Sequence, residues 1–378
     1  MRGITEKTIT IGKKKIGEGH PCFIIAEAGV NHNGSLELAK KLIDAAVVAG
    51  CDAVKFQTFK AEKLVTREAE QAEYQTKNIG TKESQYDMLK PLELNYNDFE
   101  ELKRYCDEKE IIFLSTPHSC KEDVDLIAKL CPAIKVGSGD VTNIPILKYM
   151  AQKGLPIFLA TGMSFLSEVE EAVLAIIPTN RDLVLLHCTT NYPTPLNEVN
   201  LQSMISMHKK FKLPVGYSDH TEGIIVSVAA VAMGACLLEK HLTLDKNMKG
   251  PDHKASVEPN ELAKLVKKIR EVEKMLKKKK SAEEILSKLM VPPEIIGDGI
   301  KKPMPSEYAI MKVARKSVVA AQDIKKGSII TEHMLEIKRP GTGLPPREYF
   351  NIIGKKKAAR DIKKEELLDP SMIESLKT

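Results

Sequence analysis

The chain alternates short, nearly continuous apolar runs with longer stretches in which apolar residues recur every three or four positions. The short runs are rich in β-branched residues, which is typical of buried strands, and the longer stretches have the spacing of amphipathic helices. The apolar runs are, in order, CFIIAEAG, AVKFQT, IIFLSTP, AIKVGSGD, PIFLATG, LVLLHCTT, LPVGYSDH and CLLEKHLT. Stretches such as LELAKKLIDAAVVAG and PNELAKLVKKIREVEKML separate most of them.

Strands that alternate with helices predict an α/β fold, because parallel strands need helical crossovers. With eight such runs, we expect a (β/α)8 TIM barrel over about residues 20–280. The alternative is an open doubly wound sheet, which the lack of a Gly-x-Gly-x-x-Gly motif after the first strand disfavours. Residues 60–96 form a long polar insert after the second strand, and a loop of that length predicts a functional or interfacial role.

The composition changes towards the end of the chain, and this change predicts the domain organisation. We assign residues 1–280 to the barrel, with a short β-hairpin in residues 1–18 that would plug its bottom. Residues 281–311 contain many Pro and Gly residues and are interpreted as a linker. Residues 312–378 have short strands and two DIKK turns, which predicts a small β-rich domain.

Composition and charge narrow the class of function. The chain has 378 residues, of which 43% are hydrophobic and 29% charged, as in ordinary globular proteins. Its net charge of +6 is small and dispersed, which argues against a nucleic-acid partner but suits an anionic substrate. Seven cysteines without a Cys-x-x-Cys pair, and no signal peptide, predict the cytoplasm. The longest apolar stretch, residues 224–238, is too short for a bilayer, so we expect no membrane partner.

Polar side chains end every predicted strand. In a (β/α)8 barrel the carboxyl ends of the strands meet at one face, where active sites form. His220 and His241 end the last two strands and point the same way as the residues two positions before them. Two neutral imidazoles on adjacent strands could bind one metal ion beside Glu27 and Asp219, although a single histidine is more often structural.

Lys55 and Lys135 end the second and fourth strands inside the same predicted mouth. A buried lysine needs an anionic partner, and one interpretation is an internal salt bridge to a carboxylate such as that of Asp140. The other interpretation is a cradle for a phosphate or carboxylate ligand. The hydroxyl groups that would complete this cradle are those of Thr116, Ser138 and Ser218.

Several of these motifs together resemble the sialic acid synthase family. They are FIIAEAGVNHNGSLELAKKLIDAA, AVKFQT, STPHS, KVGSGD, ATGMS, HCTTNYPTP, GYSDHT, EKHLTLD and GPDH. The segment IGDGIKKPMPSE then leads into a tail that is similar to the family's SAF (antifreeze-like) domain, so the resemblance covers nearly the whole chain. It implies a transferase that condenses phosphoenolpyruvate with the open-chain form of an N-acetylated amino sugar, giving a nine-carbon 2-keto acid and phosphate. The amino sugars that we consider are N-acetylmannosamine, N-acetylmannosamine 6-phosphate and a 2,4-diacetamido-2,4,6-trideoxy hexose.

The resemblance also implies roles for individual residues. His220 and His241 would hold a divalent metal, Mn²⁺ first and Mg²⁺ or Co²⁺ as alternatives, with Glu27 and Asp140 as further catalytic residues. The residues matched to phosphoenolpyruvate binding are Lys55, Thr116, Lys135, Ser138 and Ser218. The residues matched to sugar binding are Gln57, Tyr192, Asp252 and Arg339. Arg339 would come from the SAF domain of a partner subunit, which implies a domain-exchanged homodimer.

Three positions depart from the family pattern. Asp140 stands where relatives often have Glu, which shortens the reach of this acid. Ala160 stands where a phosphate-binding serine is frequent, and Thr190 where Asn or Ser is common. The departures bear mainly on the residues that the resemblance assigns to phosphate binding.

Two other classes of function remain open. A Schiff-base aldolase would use Lys55 or Lys135 to form an imine with pyruvate and would need no metal. An ice-binding or surface-binding role for the tail would need a flat uncharged face, which its lysines and Arg339 disfavour. The identity of the sugar is also open, although RPGTG favours unphosphorylated sialic or legionaminic substrates over pseudaminic ones.

Overall fold

The computed structural model describes residues 7–376. The outer ends of the predicted domains, residues 1–6 and 377–378, lie outside the described residues. Within residues 7–376 no helix combines the length and apolar character needed to cross a membrane.

Most of the chain forms one barrel of parallel strands. The strands are β1 Ile9–Ile11, β2 Lys14–Ile16, β3 Phe23–Gly29, β4 Ala53–Thr58, β5 Ile112–Pro117, β6 Ile134–Val136, β7 Ile157–Ala160, β8 Leu183–His187, β9 Val215–Asp219, β10 Leu237–His241, β11 Ser317–Ala320, β12 Leu335–Lys338, β13 Lys356–Ala358 and β14 Ile373–Ser375. The eight strands β3–β10 make one sheet in the order β5-β4-β3-β10-β9-β8-β7-β6. Its end strands β5 and β6 lie side by side and bring the sheet round into a near-closed barrel. The predicted TIM-barrel class is confirmed, and the open-sheet alternative is wrong.

The helices wrap the outside of the barrel and cover its mouth. They are α1 Leu36–Ala49, α2 Ala61–Leu64, α3 Glu73–Ile79, α4 Gln85–Leu89, α5 Tyr96–Glu108, α6 Lys121–Leu130, α7 Ile144–Ala151, α8 Leu166–Ile176, α9 Gln202–Phe211, α10 Ile225–Ala232, α11 Pro259–Lys277, α12 Ala282–Lys288, α13 Glu307–Ala314 and α14 Tyr349–Ile352. Helix α1 shows why the local sequence folds this way. The Ser35 side chain accepts a hydrogen bond from the Leu38 N–H at its start, and Gly50 ends it at a φ of 79°.

The hairpin β1–β2 lies at the end of the barrel away from the strand carboxyl ends. Ile9, Ile11 and Ile16 join the main hydrophobic core, and Lys14 pairs with Asp52, which precedes β4, at 2.8 Å. Part of the predicted linker also packs on the barrel. Helix α12 lies within it, and the side chains of Ile285 and Ile295 are buried in the same core.

The C-terminal strands form a separate β-rich domain. Strands β11 and β12 pair antiparallel, as do β13 and β14, around a core that includes Val318, Ile330 and Leu368. This domain lies on the barrel of its own chain. The Arg339 N–H donates to the Leu64 carbonyl at 2.9 Å, so the C-terminal domain reaches the inserted segment 60–96.

Candidate active site

The carboxyl ends of the barrel strands surround a cavity of about 140 Å³. The segment 60–96, helix α13 and Arg339 cover it. Every predicted site residue except Asp140 lines this one cavity: Glu27, Lys55, Gln57, Thr116, Lys135, Ser138, Tyr192, Ser218, His220, His241, Asp252 and Arg339. The cavity lies at the face where (β/α)8 enzymes carry their active sites.

A cluster of buried charges forms the floor of the cavity. Lys55 Nζ lies 2.7 Å from Glu27 Oε2 and 3.7 Å from Glu239 Oε2. Lys135 Nζ lies 3.5 Å from Glu239 Oε1. The register of the sheet explains these pairs, because Glu27 is the direct partner of Lys55 across β3 and β4. Lys55 also donates to Thr116 Oγ1 at 3.1 Å.

Burial and neighbouring charges separate the pKa values of the two glutamates. Burial raises the pKa of Glu27, and the nearby Glu239 adds to this rise, although Lys55 opposes it. Burial would also raise the pKa of Glu239, but Lys135 and Lys55 together lower it. Burial lowers the pKa of Lys135. Glu239 therefore stays ionised, whereas Glu27 can hold a proton nearer to neutral pH.

The two histidines face each other across adjacent strands. Their ring centroids are 5.5 Å apart. His220 Nδ1 lies 2.7 Å from the Thr189 carbonyl oxygen, so we assign the proton to Nδ1. That tautomer leaves the lone pair of Nε2 towards the Tyr192 hydroxyl, 3.1 Å away. His241 Nδ1 is buried and has no hydrogen-bond partner among residues 7–376.

The two rings are in the neutral state that metal binding needs, but they provide only two protein ligands. Burial lowers the pKa of His220 to about 4, and burial together with His220 lowers the pKa of His241. Both imidazoles are therefore neutral near pH 7, as metal binding requires. In the described part of the chain no group of three or more His, Cys, Asp or Glu side chains is arranged to hold a metal. The pair fits a divalent ion whose remaining ligands come from water or substrate.

Two aromatic rings and an acid form the wall beside the histidines. The Tyr192 ring stacks on Tyr74 of helix α3 with centroids 5.2 Å apart. The Tyr192 ring also lies 4.2 Å from that of His220. Asp252 lines the same wall, and burial raises the pKa of its carboxyl to about 6.

Small polar groups line another part of the cavity wall, next to Gly162. The Gly162 N–H donates to Ser138 Oγ at 3.0 Å and to Cys188 Sγ at 3.1 Å. The Thr190 hydroxyl is buried and unpartnered among the described residues. A Cβ at Gly162 would meet Thr190 Oγ1 at 2.1 Å, so only glycine fits there. This wall offers the hydroxyl groups of Ser138 and Thr190 to a ligand, whereas Ala160, where the resemblance implies a serine, offers none.

Asp140 differs from its predicted position. Its carboxylate does not line the cavity but lies 2.8 Å from Lys316 Nζ of the C-terminal domain and accepts from Asn143 at 2.8 Å. Of the two interpretations of Lys55 and Lys135, the structure shows internal salt bridges. The carboxylates are those of Glu27 and Glu239, so Asp140 as the partner is wrong. A catalytic role for Asp140 stays a prediction.

Arg339 reaches the cavity within its own chain in this structure, where we expected a partner subunit to supply it. Its Nη1 donates to Gln85 Oε1 at 3.3 Å, and Gln85 lies on helix α4 of the covering segment. The contact needs no second chain, because the C-terminal domain lies over its own barrel.

Some residues of the cavity were not predicted as site residues. Glu239 is one of them, and it lies two positions before His241 on β10. Tyr74 and Gln85 lie on short helices in the segment 60–96, whose length was the only signal in the sequence. Glu307 of helix α13 accepts from the N–H groups of Met163 and Thr190, at 2.7 and 2.6 Å, and holds two loops of the cavity. Nothing in the local sequence indicated this contact.

Comparisons with known proteins agree with this architecture. The NeuB family model matches residues 42–281, and the SAF domain model matches residues 315–374. The N,N'-diacetyllegionaminic acid synthase of Campylobacter jejuni is 47% identical over 92% of this chain and 98% of its own length. The human N-acetylneuraminate-9-phosphate synthase is 38% identical over 90% of each chain. The crystal structure of the spore coat polysaccharide biosynthesis protein SpsE from Bacillus subtilis superposes with a TM-score of 0.80 and 31% identity, over 98% of this chain and 100% of that one.

Proposed function

The chain belongs to the NeuB family, and from that premise we propose that it condenses phosphoenolpyruvate with an open-chain N-acetylated amino sugar. The enol carbon attacks the aldehyde carbon, one water adds at the former enol carbon, and the products are a nine-carbon 2-keto acid and phosphate. The observation that carries the proposal is the arrangement of Lys55, Lys135, Glu27 and Glu239 in one cavity beside two neutral histidines. Buried lysines suit an anionic substrate, and the histidines suit the aldehyde that it attacks.

Phosphoenolpyruvate suits the buried lysines and the hydroxyl groups beside them. Lys55 and Lys135 are both buried, and they would attract its phosphate and carboxylate groups. The Ser138 and Thr190 hydroxyls and the Gly162 wall accommodate an oxygen-rich group. Glu27, whose pKa is raised, is suited to hold and release one proton near neutral pH.

We propose His220 and His241 as the protein ligands of a divalent ion, with Mn²⁺ preferred over Mg²⁺ or Co²⁺. When bound, the ion would polarise the aldehyde oxygen of the sugar. The hydrogen bond from His220 Nδ1 to the Thr189 carbonyl supports this role, because it fixes the ring and leaves Nε2 available. The buried and unpartnered Nδ1 of His241 supports it as well.

For the sugar, we propose a 2,4-diacetamido-2,4,6-trideoxy hexose, as the name of the Campylobacter relative suggests. The covering segment and helix α13 give the cavity an apolar side: Ala72, Met88, Leu89, Ile310 and Val313. Acetamido methyl groups and a C6 methyl suit such a wall, whereas a 6-phosphate would need cationic partners there. Phosphoenolpyruvate is an intracellular metabolite, so the same proposal assigns the enzyme to the cytoplasm.

The test is product formation from a panel of sugars. The enzyme, Mn²⁺ and phosphoenolpyruvate are incubated with the diacetamido sugar, N-acetylmannosamine or N-acetylmannosamine 6-phosphate, and the products are identified by mass spectrometry. We expect the 2-keto acid of the diacetamido sugar to dominate. Preference for the 6-phosphate would contradict the proposed sugar, and the absence of any condensed product would contradict the proposed reaction.

A Schiff-base aldolase remains the second candidate, because burial lowers the pKa of Lys135 and so favours the neutral nucleophilic amine. Borohydride added together with pyruvate would trap such an enzyme covalently. Peptide mapping would then find the modified residue at Lys135 or Lys55. The proposed synthase predicts no trapped adduct.

A further inference from the structure

Another buried ion pair lies behind the two histidines, on the outer face of the strands that carry them. Asp219 and Lys240 precede His220 and His241, and they are direct partners across the β9–β10 ladder. Lys240 Nζ lies 3.0 Å from Asp219 Oδ2, and both side chains are fully buried. Removing two charges from water is costly, and two apolar side chains at these positions would often give a fold at least as stable. The position of the pair therefore needs an explanation other than stability.

The pair is the centre of a closed network that holds the backbone on both sides of His220. Asp219 Oδ1 accepts from the Thr221 N–H at 2.8 Å and from the Thr221 hydroxyl at 2.7 Å. Lys240 Nζ donates to the Thr221 carbonyl at 2.6 Å. Asp219 Oδ2 also accepts from the Ser227 hydroxyl of helix α10. The strand that carries His241 is thereby tied to both neighbours of His220 in the chain.

The geometry of the strands transmits this constraint to the inner face. Side chains alternate along a strand, so locking the Asp219 and Lys240 pair outside sets the relative positions of Ser218, His220, Glu239 and His241 inside. On that inner face, the Ser218 hydroxyl donates to Glu239 Oε1 at 2.9 Å. We propose that Asp219 and Lys240 are positioning residues that hold His220 and His241 at the spacing a shared divalent ion requires. This inference rests on the proposed function.

The test compares metal binding with stability in the full-length protein. The main variant is Asp219→Asn/Lys240→Met, which removes both charges and so leaves no unpaired buried ion. Asp52→Asn/Arg270→Met is the matched control, because this pair, 3.2 Å apart, is at the amino ends of the strands. Mn²⁺ affinity is measured by isothermal titration and by the paramagnetic resonance of free Mn²⁺, and stability by thermal unfolding.

We expect the Mn²⁺ dissociation constant of Asp219→Asn/Lys240→Met to rise about 10–100-fold, the range for partners of metal ligands. The control should keep the affinity of the unsubstituted protein even where its Tm falls. Even at saturating Mn²⁺, the main variant should have a lower kcat, because His220 and His241 would no longer hold the ion at the spacing that the pair sets. Ser227→Ala removes one arm of the network without exposing a charge, and we expect it to weaken Mn²⁺ binding to a smaller degree.

The outcomes separate the inference from the function on which it rests. Unchanged Mn²⁺ affinity in the main variant overturns the positioning role. If that variant does not fold, unchanged affinity in Ser227→Ala overturns it instead. If the unsubstituted protein takes up no Mn²⁺, the proposed metal site is overturned and the positioning role with it.

Discussion

At the scale of one residue, Asp252 is a group of the site that lowers the stability of the folded protein. Burial raises the pKa of its carboxyl from 3.8 to about 6. Between these values the folded state keeps a proton that the unfolded state has lost, so the free energy of unfolding falls as pH rises through this window. At neutral pH the buried, ionised carboxylate lowers the free energy of unfolding by about 3 kcal/mol. A group kept at such a cost is typical of functional sites, and we expect it to contact the sugar.

We therefore predict that Asp252→Asn is more stable than the unsubstituted protein at pH 7.5 and not at pH 4. The expected gain is on the order of 3 kcal/mol, because the variant has no charge to bury. Urea unfolding at several pH values measures it, with the exposed Asp245→Asn as the matched control. Parallel pH profiles for Asp252→Asn and the unsubstituted protein would show that this carboxyl has no raised pKa. Sugar affinity should fall in Asp252→Asn.

Lys55 gives a second prediction at this scale. Lys55→Met leaves the buried Glu27 without its partner at 2.7 Å. Breaking a buried pair costs up to about 3–5 kcal/mol, and the loss should be smaller at acidic pH, where the raised pKa of Glu27 lets it take up a proton. Thermal unfolding should show this loss, and the double variant Lys55→Met/Glu27→Gln should recover much of it. Both variants should lose the binding of phosphoenolpyruvate. A double variant no more stable than the single one would contradict the coupling between these side chains.

The positions of these side chains were only partly predictable. Strand ends and alternation correctly indicated that Lys55, His220 and His241 share one cavity. The partners of the lysines could not be read from the sequence, because they depend on which strand residues lie opposite each other. Glu27 lies opposite Lys55 across a ladder that joins distant segments, whereas Asp140, nearer to Lys135 in sequence, turns towards Lys316.

At the scale of elements, the wall around Gly162 joins the end of β7 to the loop after β8. The closest approach is to the Thr190 hydroxyl, where a Cβ would lie at 2.1 Å. We predict that Gly162→Ala raises KM for phosphoenolpyruvate at least tenfold, the loss expected when about 1.4 kcal/mol of binding is removed. Steady-state kinetics measures it. The control Gly162→Ala/Thr190→Ala removes the clash at 2.1 Å. If this variant is as stable as the unsubstituted protein but its KM stays high, the Thr190 hydroxyl itself binds the substrate. An unchanged KM in Gly162→Ala would contradict this assignment of the wall.

The barrel elements were predictable because each strand is a distinct apolar run and each outer helix a clear periodic stretch. The elements that cover the cavity were not. Helices α2, α3 and α4 have 4, 7 and 5 residues, too few for a periodic pattern to emerge. Their structure depends on contacts made elsewhere, such as that of Gln85 with the Val313 carbonyl at 2.9 Å.

At the scale of the whole molecule, the position of the C-terminal domain decides whether one chain makes a complete site. Here Arg339 reaches the cavity of its own chain. Exchange of this domain between two chains would reproduce the same contact between subunits. The expected domain-exchanged homodimer therefore stays a prediction, and complementation distinguishes the two arrangements.

Arg339→Ala and His241→Ala should each be inactive alone. If the domain is exchanged, a co-expressed mixture regains activity, because a mixed dimer contains one site with both residues intact. If Arg339 acts within its own chain, the mixture stays inactive. Activity assays on purified mixed dimers measure the difference, and the unsubstituted protein mixed with His241→Ala provides the reference.

Phosphate release tests the central claim most directly. We predict that phosphate appears only when phosphoenolpyruvate, the amino sugar and Mn²⁺ are all present, that EDTA abolishes it, and that His220→Ala and His241→Ala do not release it. Phosphate release without the sugar, or release that survives EDTA and the loss of both histidines, would contradict the account.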